Sequence, residues 1–206
     1  MIRSAAAPLA LVLCVLLMPQ LTWSQGKPAP KAPPKAPAKA PAPPQDPTQV
    51  RVNVGVSTAK PNDIIDIPLT LSAPDAVKIG TVSEIVSFPK NALSLTKAEL
   101  GLAGEQSQAD VKTDVKDSPD DPATSLIDVS ISTKAPPLKP GILAYLKFKV
   151  APTAEKGTIV LKIMDFKATS GTGEALQQAV KGKDGEVTVF GINEEIPVVG
   201  CFFFNH

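Results

Sequence analysis

The side chains that could do chemistry here are few, and their spacing argues against a reaction. The sole histidine is His206, so an imidazole base, an activated Ser or Cys nucleophile, or a His-rich metal site has no member in the body of the sequence. Asp and Glu number 20, and a pair of carboxyls can in principle hydrolyse a glycoside. None stands in a recognisable catalytic setting, and a solvated acidic surface accounts for them. The densest cluster, Asp117-Ser118-Pro119-Asp120-Asp121-Pro122, offers hard oxygen ligands of the kind calcium takes. Its spacing does not match an EF-hand loop, and it reads as a solvated loop. No catalytic residue, metal ligand set or cofactor is expected. Sugar platforms need exposed aromatic faces, and outside the N-terminal segment that holds Trp23 the chain has no Trp and one Tyr, Tyr145.

What remains is recognition, presented by strands. The stretch Gly141 to Val150 reads GILAYLKFKV. Ile142, Ala144, Leu146, Phe148 and Val150 fall on one side of an extended chain, and Leu143, Tyr145, Lys147 and Lys149 on the other, the signature of a half-buried strand. Val50 to Ser57 alternates in the same way, placing Val50, Val52, Val54 and Val56 on one face. Lys60-Pro61-Asn62-Asp63 makes a turn, because Pro presets φ and Asn tolerates the left-handed conformation. Ile65, Ile67, Leu69 and Leu71 form the next strand, in which Pro68 implies an edge or a bulge. Ile79 to Phe88 is β-branched without clean alternation, since Val82, Ile85 and Val86 cannot share a face, and a bulge is expected. Leu93 and Leu95 suggest a short strand, and Ser107 to Val115 is weakly extended. Ser125 to Ser132 returns to strict alternation, with Ile127, Val129 and Ile131 inward. Ile159, Leu161 and Ile163 share a face of the run after Gly157. Glu174 to Lys183 fits a helical turn or a ragged strand. Asp184-Gly185 then turns into a last strand with Val187 and Val189 inward. About nine strands and no core helix predict an all-β fold, a nine-stranded antiparallel β-sandwich of jelly-roll type.

The N-terminus differs in kind. Arg3, an apolar run from Leu9 to Met18, and Thr22-Trp23-Ser24 before Gln25 predict a secretory signal peptide over residues 1–24. The run is shorter than the ~18 to 20 residues that span a bilayer, so no membrane span is expected after its removal. Cys201 is then the only cysteine, which excludes an intramolecular disulfide. Residues 25–47 are almost entirely Lys, Ala and Pro. Frequent prolines remove amide donors and fix φ, leaving an extended polyproline II linker as the default. Its lysines keep it soluble; contact with anionic polymer is the alternative. The domain itself spans 48–191. A tail, 192–206, carries Ile196-Pro197-Val198-Val199-Gly200-Cys201-Phe202-Phe203-Phe204, too short and interrupted to cross a membrane, and is expected to pack on the sandwich or bind a partner. Five of the 21 basic residues but only Asp46 among the acids lie before residue 48. The domain is therefore mildly acidic, which excludes the basic footprint of a nucleic-acid binder.

The order of these signals resembles the bacterial cohesin domain, the receptor module of cellulosome scaffolds, whose relatives are carbohydrate-binding sandwiches. The resemblance runs from Val50 to Phe190. It rests on Ala59-Lys60-Pro61-Asn62-Asp63 with Ile67-Pro68-Leu69, on Phe88-Pro89-Lys90-Asn91-Ala92-Leu93, on Gly141, Leu143, Ala144, Leu146, Phe148 and Val150, and on Gly157 with Asp184-Gly185-Glu186-Val187-Thr188-Val189. Asn62 stands where the family has Gly, and Asn91 to Leu93 follow without the family's Asp. The resemblance implies a non-catalytic protein-binding module, with a dockerin helix pair docking on the face of the middle strands. By alternation Glu84, Asp128, Ser130 and Ser132 are the candidates for that face, against the plain reading of solvated strand positions. The expected partner is a dockerin-like or cell-envelope protein, with a polysaccharide as the alternative and the cell surface, periplasm or medium as the location.

Overall fold

A computed structural model describes residues 48–134 and 136–196. The signal and linker segments lie outside the described residues, as does the tail beyond residue 196. The alternating segments become ten strands: β1 (Arg51–Val54), β2 (Val56–Ala59), β3 (Ile64–Ser72), β4 (Ile79–Pro89), β5 (Leu93–Leu100), β6 (Asp110–Asp117), β7 (Thr124–Ser132), β8 (Gly141–Val150), β9 (Gly157–Ser170) and β10 (Gly185–Val189), with one short helix, α1 (Leu102–Gln106), between β5 and β6. They form a four-stranded sheet of order β1-β3-β8-β5 and a six-stranded sheet of order β2-β10-β9-β4-β7-β6. The inward stripes of the two sheets meet in one apolar core that includes Ile67, Leu69, Val86, Phe88, Ile127, Leu146, Phe148, Leu161 and Val187. Each such side chain gains about 1.5 to 3 kcal/mol from leaving water, so ten short strands stabilise one another without any disulfide among the described residues.

The count exceeds nine because Val50 to Ser57 is two strands. At Gly55 the chain leaves the four-stranded sheet and joins the six-stranded one, where β2 pairs with β10 in parallel, the one parallel pairing among the described strands. The change of sheet turns Val56 outward, 71% exposed, while Val50, Val52 and Val54 are buried as expected. Gly55 is needed at the crossing: a Cβ there would lie 2.5 Å from Pro68 Cγ. Its amide donates to the Pro68 carbonyl at 2.8 Å. Pro68 thus sits where β3 loses β1 as a neighbour, and its missing N–H costs no ladder bond on that side.

Asn62 adopts φ +73, the left-handed turn its side chain tolerates, and the turn is closed by the Lys60 amide donating to Asp63 Oδ2 at 2.7 Å. Leu143 departs from its expected outward position and is fully buried. The register between β3 and β8 slips at Leu69/Thr70, which pair with Ala144 and Ile142, so Leu143 is the extra residue and turns inward. Its carbonyl accepts from the Gly101 amide at 2.8 Å, which anchors α1 with Ala103 and Gly104 buried. The expected weak strand from Ser107 is shortened at its start by the chain leaving α1. Residues 174–183, left open above, form neither helix nor strand but bridge to β9 and to the chain before β1 through Ala175 and Ala179.

That segment ends in a close approach. The Lys183 amide donates to Asn53 Oδ1 at 2.9 Å and the Lys183 carbonyl accepts from the Val54 amide at 3.0 Å. A Cβ on Gly182 would run into the carbonyl of Val52. Backbone cannot yield as a flexible side chain can, so Gly182→Ala is expected to push the loop off β1 and weaken both hydrogen bonds, a cost of about 2 kcal/mol. Urea unfolding of the variant beside the wild-type chain measures it.

Candidate functional site

The outer face of β6, β7, β4 and β9 is the broadest run of outward strand positions, and its register can be followed across four strands. Asp114 pairs with Asp128, Asp128 with Ile85, and Ile85 with Asp165. The row on one side is Lys112, Ser130, Ser83 and Lys167, followed by Asp110, Ser132, Thr81 and Thr169; the row on the other is Lys116, Leu126, Ser87 and Lys162. Neighbouring strands stand about 4.8 Å apart and next-but-one residues about 7 Å, which gives the four rows a span of about 14 by 20 Å. Ile85 and Leu126 are half-buried on its two inner strands, with charged residues along both outer strands. Asp114 is paired with Lys116 at 2.9 Å and Asp165 with Lys167 at 3.1 Å. The Lys116 ammonium is held above its ordinary range, first by the hydrogen bond and charge of Asp114 and then by the charge of Asp128. Lys167 holds the Asp165 carboxyl below its ordinary range.

Asp128, Ser130 and Ser132 all project from β7 onto this face, Asp128 exposed and the serines half-buried. Glu84 does not, and its assignment to that face is corrected. It is 2% exposed and points into the core with Val82 and Val86, while Ile85 takes the outward position. Pairing with β7 runs without a break from Thr81 to Pro89, so β4 alternates over that stretch; the expected bulge lies at its start, where Gly80 is the extra residue between the pairs Ile79–Ser170 and Thr81–Thr169, and a second lies on β9, where Met164 is the extra residue between Ile85–Asp165 and Val86–Ile163. Neither carboxylate oxygen of Glu84 has a hydrogen-bond partner. Burial, aided by the charge of Asp184, pushes the group up to about 8, so it is largely neutral at pH 7. It is a buried acid beneath the face rather than a contact on it.

Alternation in Asp110–Asp117 carries the Asp/Lys pattern of β6 openly. The register that sets Asp114 beside Asp128 and Asp165 beyond Ile85 has no signature in any one segment, and those residues are absent from a reading of single strands.

Two of the acidic loop's three aspartates spend oxygens on the chain itself. Asp121 accepts from the Ala123 amide at 2.9 Å and the Thr124 hydroxyl at 2.7 Å, bonds that hold its carboxyl below the ordinary range, and Asp117 pairs with Lys90 at 3.0 Å. Among the described residues no group of three or more His, Cys, Asp or Glu side chains is placed to hold a metal ion. On the other sheet Tyr145 lies between Pro68 and Glu99 in register, beside an ion-pair cluster in which Lys147 meets Asp66 at 2.8 Å and Glu99 at 3.2 Å. The start of the tail turns back on the domain: the Gly191 amide donates to Glu194 Oε2 at 3.0 Å, and Glu194 also pairs with Lys156. Cys201 and Phe202 to Phe204 lie outside the described residues. No described helix is long and apolar enough to cross a membrane.

A scan of protein families matches residues 50–189 to the cohesin domain. This chain belongs to the cohesin domain family. Cohesin domains are non-catalytic protein-binding modules. Solved structures share the fold. A non-cellulosomal cohesin from the archaeon Archaeoglobus fulgidus is 19% identical, with a TM-score of 0.53 over 69% of this chain and 92% of that one. A cohesin of a type I cohesin–dockerin complex from Clostridium thermocellum is 14% identical, with a TM-score of 0.55 over 69% of this chain and 100% of that one. The seventh ScaB type I cohesin of Pseudobacteroides cellulosolvens is 15% identical, with a TM-score of 0.52 over 76% and 99%. No curated protein matches this chain by sequence.

Proposed function

We propose that this cohesin-domain chain is an exported receptor that docks a dockerin-type helical module of another protein on the outer face of β6, β7, β4 and β9. In this reading residues 1–24 direct export, 25–47 hold the domain away from its attachment point, 48–191 do the binding, and 192–206 close the domain or add a contact. The observation that carries the docking reading is the four-strand face itself. It has half-buried apolar residues, Ile85 and Leu126, on its two inner strands between outer strands that carry alternating Asp and Lys, an arrangement like that of an interface with an apolar core and a polar rim. Relatives of the same fold have been solved as cohesin–dockerin complexes, which supports that class of partner. Asp128, Ser130 and Ser132 are the contacts proposed on β7.

The chain, used as bait against the proteins its source organism secretes, is expected to retain a protein carrying a dockerin-type helix pair. Ile85→Arg, which places a charge at the centre of the face, is expected to weaken that retention by at least tenfold while leaving the circular dichroism spectrum unchanged. Retention of glycans on an array, with no protein partner and no effect of Ile85→Arg, is the result that defeats this reading in favour of a sugar-binding module.

A further inference from the structure

The charge layout of the docking face specifies the chemistry of what it receives, an inference that rests on the docking reading above. Asp114 and Asp128 stand directly opposite on adjacent strands, and Asp165 continues the same row on the far side of Ile85. Like charges facing each other across a strand pair destabilise a sheet. The molecule relieves two of the three: Lys116 takes Asp114 and Lys167 takes Asp165. Asp128, in the middle, makes no hydrogen bond or ion pair within the described chain, although its charge reaches Lys116. Two cations of the surrounding rows, Lys112 on β6 and Lys162 on β9, are likewise without an ion pair among the described residues, and they lie on the two outer strands of the face, on opposite sides of the aspartate row. The surface is left with one uncompensated anion, Asp128, next to the apolar Ile85, a second, Asp110, in its end row, and one uncompensated cation on each of its two outer strands.

We infer that the docked helical module sets a Lys or Arg side chain against Asp128, an apolar side chain on Ile85 and Leu126, and carboxylates toward Lys112 and Lys162. A bound cation removes the repulsion between Asp128 and Asp114 that the free face retains, so this contact is worth more in the complex than an isolated exposed ion pair. Apolar burial at Ile85 supplies affinity, and the charges select among modules of the same shape, because a module with an acid at the centre meets like charge.

The probes are recombinant dockerin modules grouped by the sign of charge at the centre of their exposed helical face, titrated against the full chain and its Asp128→Lys variant, with Ile85→Arg as the control for the face. Asp128 is exposed on a strand, so the substitution leaves folding intact, which circular dichroism checks. Modules with a basic centre are expected to bind the wild-type chain and to lose at least tenfold on Asp128→Lys, while modules with an acidic centre gain. Binding that Ile85→Arg abolishes, but that neither sorts by central charge nor responds to Asp128→Lys, overturns this inference and leaves the docking reading standing. Binding indifferent to Ile85→Arg overturns the docking face, and failure of every module to bind overturns both.

Discussion

Replacing Glu84 with methionine is expected to stabilise the sandwich at pH 8 to 9 by about 4 to 5 kcal/mol and to flatten its pH dependence between pH 4.5 and 8. Glu84 stands 2% exposed on the inner face of β4, and both its oxygens lack partners. An ionised carboxylate there has lost its water and found nothing in exchange. Burial comes first and the Asp184 carboxylate second in raising the group from 4.5 to about 8. Asp184 cannot move away easily, since its Oδ1 accepts from the Ile163 amide at 2.8 Å. In the unfolded chain Glu84 releases its proton near pH 4.5. Between the two values the unfolded state therefore binds fewer protons than the folded one, and stability falls as pH rises. The full contribution is present below pH 4.5 and gone above pH 8. At about 1.36 kcal/mol per pKa unit, the separation corresponds to the figure given. Methionine has nearly the same length and no charge, so the variant keeps the packing and removes the slope. Urea unfolding at pH 4.5, 6.5 and 8.5 measures both. Parallel loss of stability by wild type and variant across that range would place the titrating group elsewhere.

The same residue shows where the sequence stops being legible. Strict alternation located β3, β7, β8 beyond Leu143 and the inward faces of β1 and β10, because those strands put apolar residues in and polar residues out. β4 inverts the rule at one adjacent pair: Glu84 goes in and Ile85 comes out. Reading hydrophobicity alone, the inversion looks like a bulge, and it moves the charged residue to the wrong side. Only pairing with β7, unbroken from Thr81 to Pro89, restores the phase. The change of sheet at Gly55 was hidden for a related reason. Val56 continues the apolar alternation of Val50 to Val54, and nothing local records that the chain has passed to the other sheet. The proposed docking face was half legible. Asp128, Ser130 and Ser132 follow from β7 by itself, whereas Ile85 and the aspartate row depend on register between strands far apart in sequence, which periodicity within one segment does not encode.

Phe148→Ala is expected to cost about 3 to 5 kcal/mol of stability. Phe148 is fully buried at the heart of β8, the strand that lies between β3 and β5. Its ring meets Phe88 of β4 edge to face, with centroids 5.3 Å apart and planes at 71°. The contact joins the inner faces of the two sheets, and such pairs add about 0.5 to 1.5 kcal/mol beyond the area they bury. Truncation leaves a cavity between sheets whose backbones are each held by their own ladders and cannot close on it, which places the cost toward the upper end of the range. Phe148→Leu keeps most of the volume and loses the ring contact, so it is expected to fall well short of the alanine variant. If the Phe88–Phe148 contact is a real coupling between sheets, the Phe88→Ala and Phe148→Ala losses will sum to more than the double variant shows, by about 1 kcal/mol. Strictly additive losses would mean that each ring packs only against its own surroundings. Because β4 also carries Ile85, the ring contact is one of the links between the proposed docking face and the far sheet. Binding by Phe148→Ala, measured at a temperature where the variant remains folded, then separates the two roles of the core. Unchanged affinity means the rings supply stability alone, and a loss confined to affinity would mean that they hold β4 in the position docking requires.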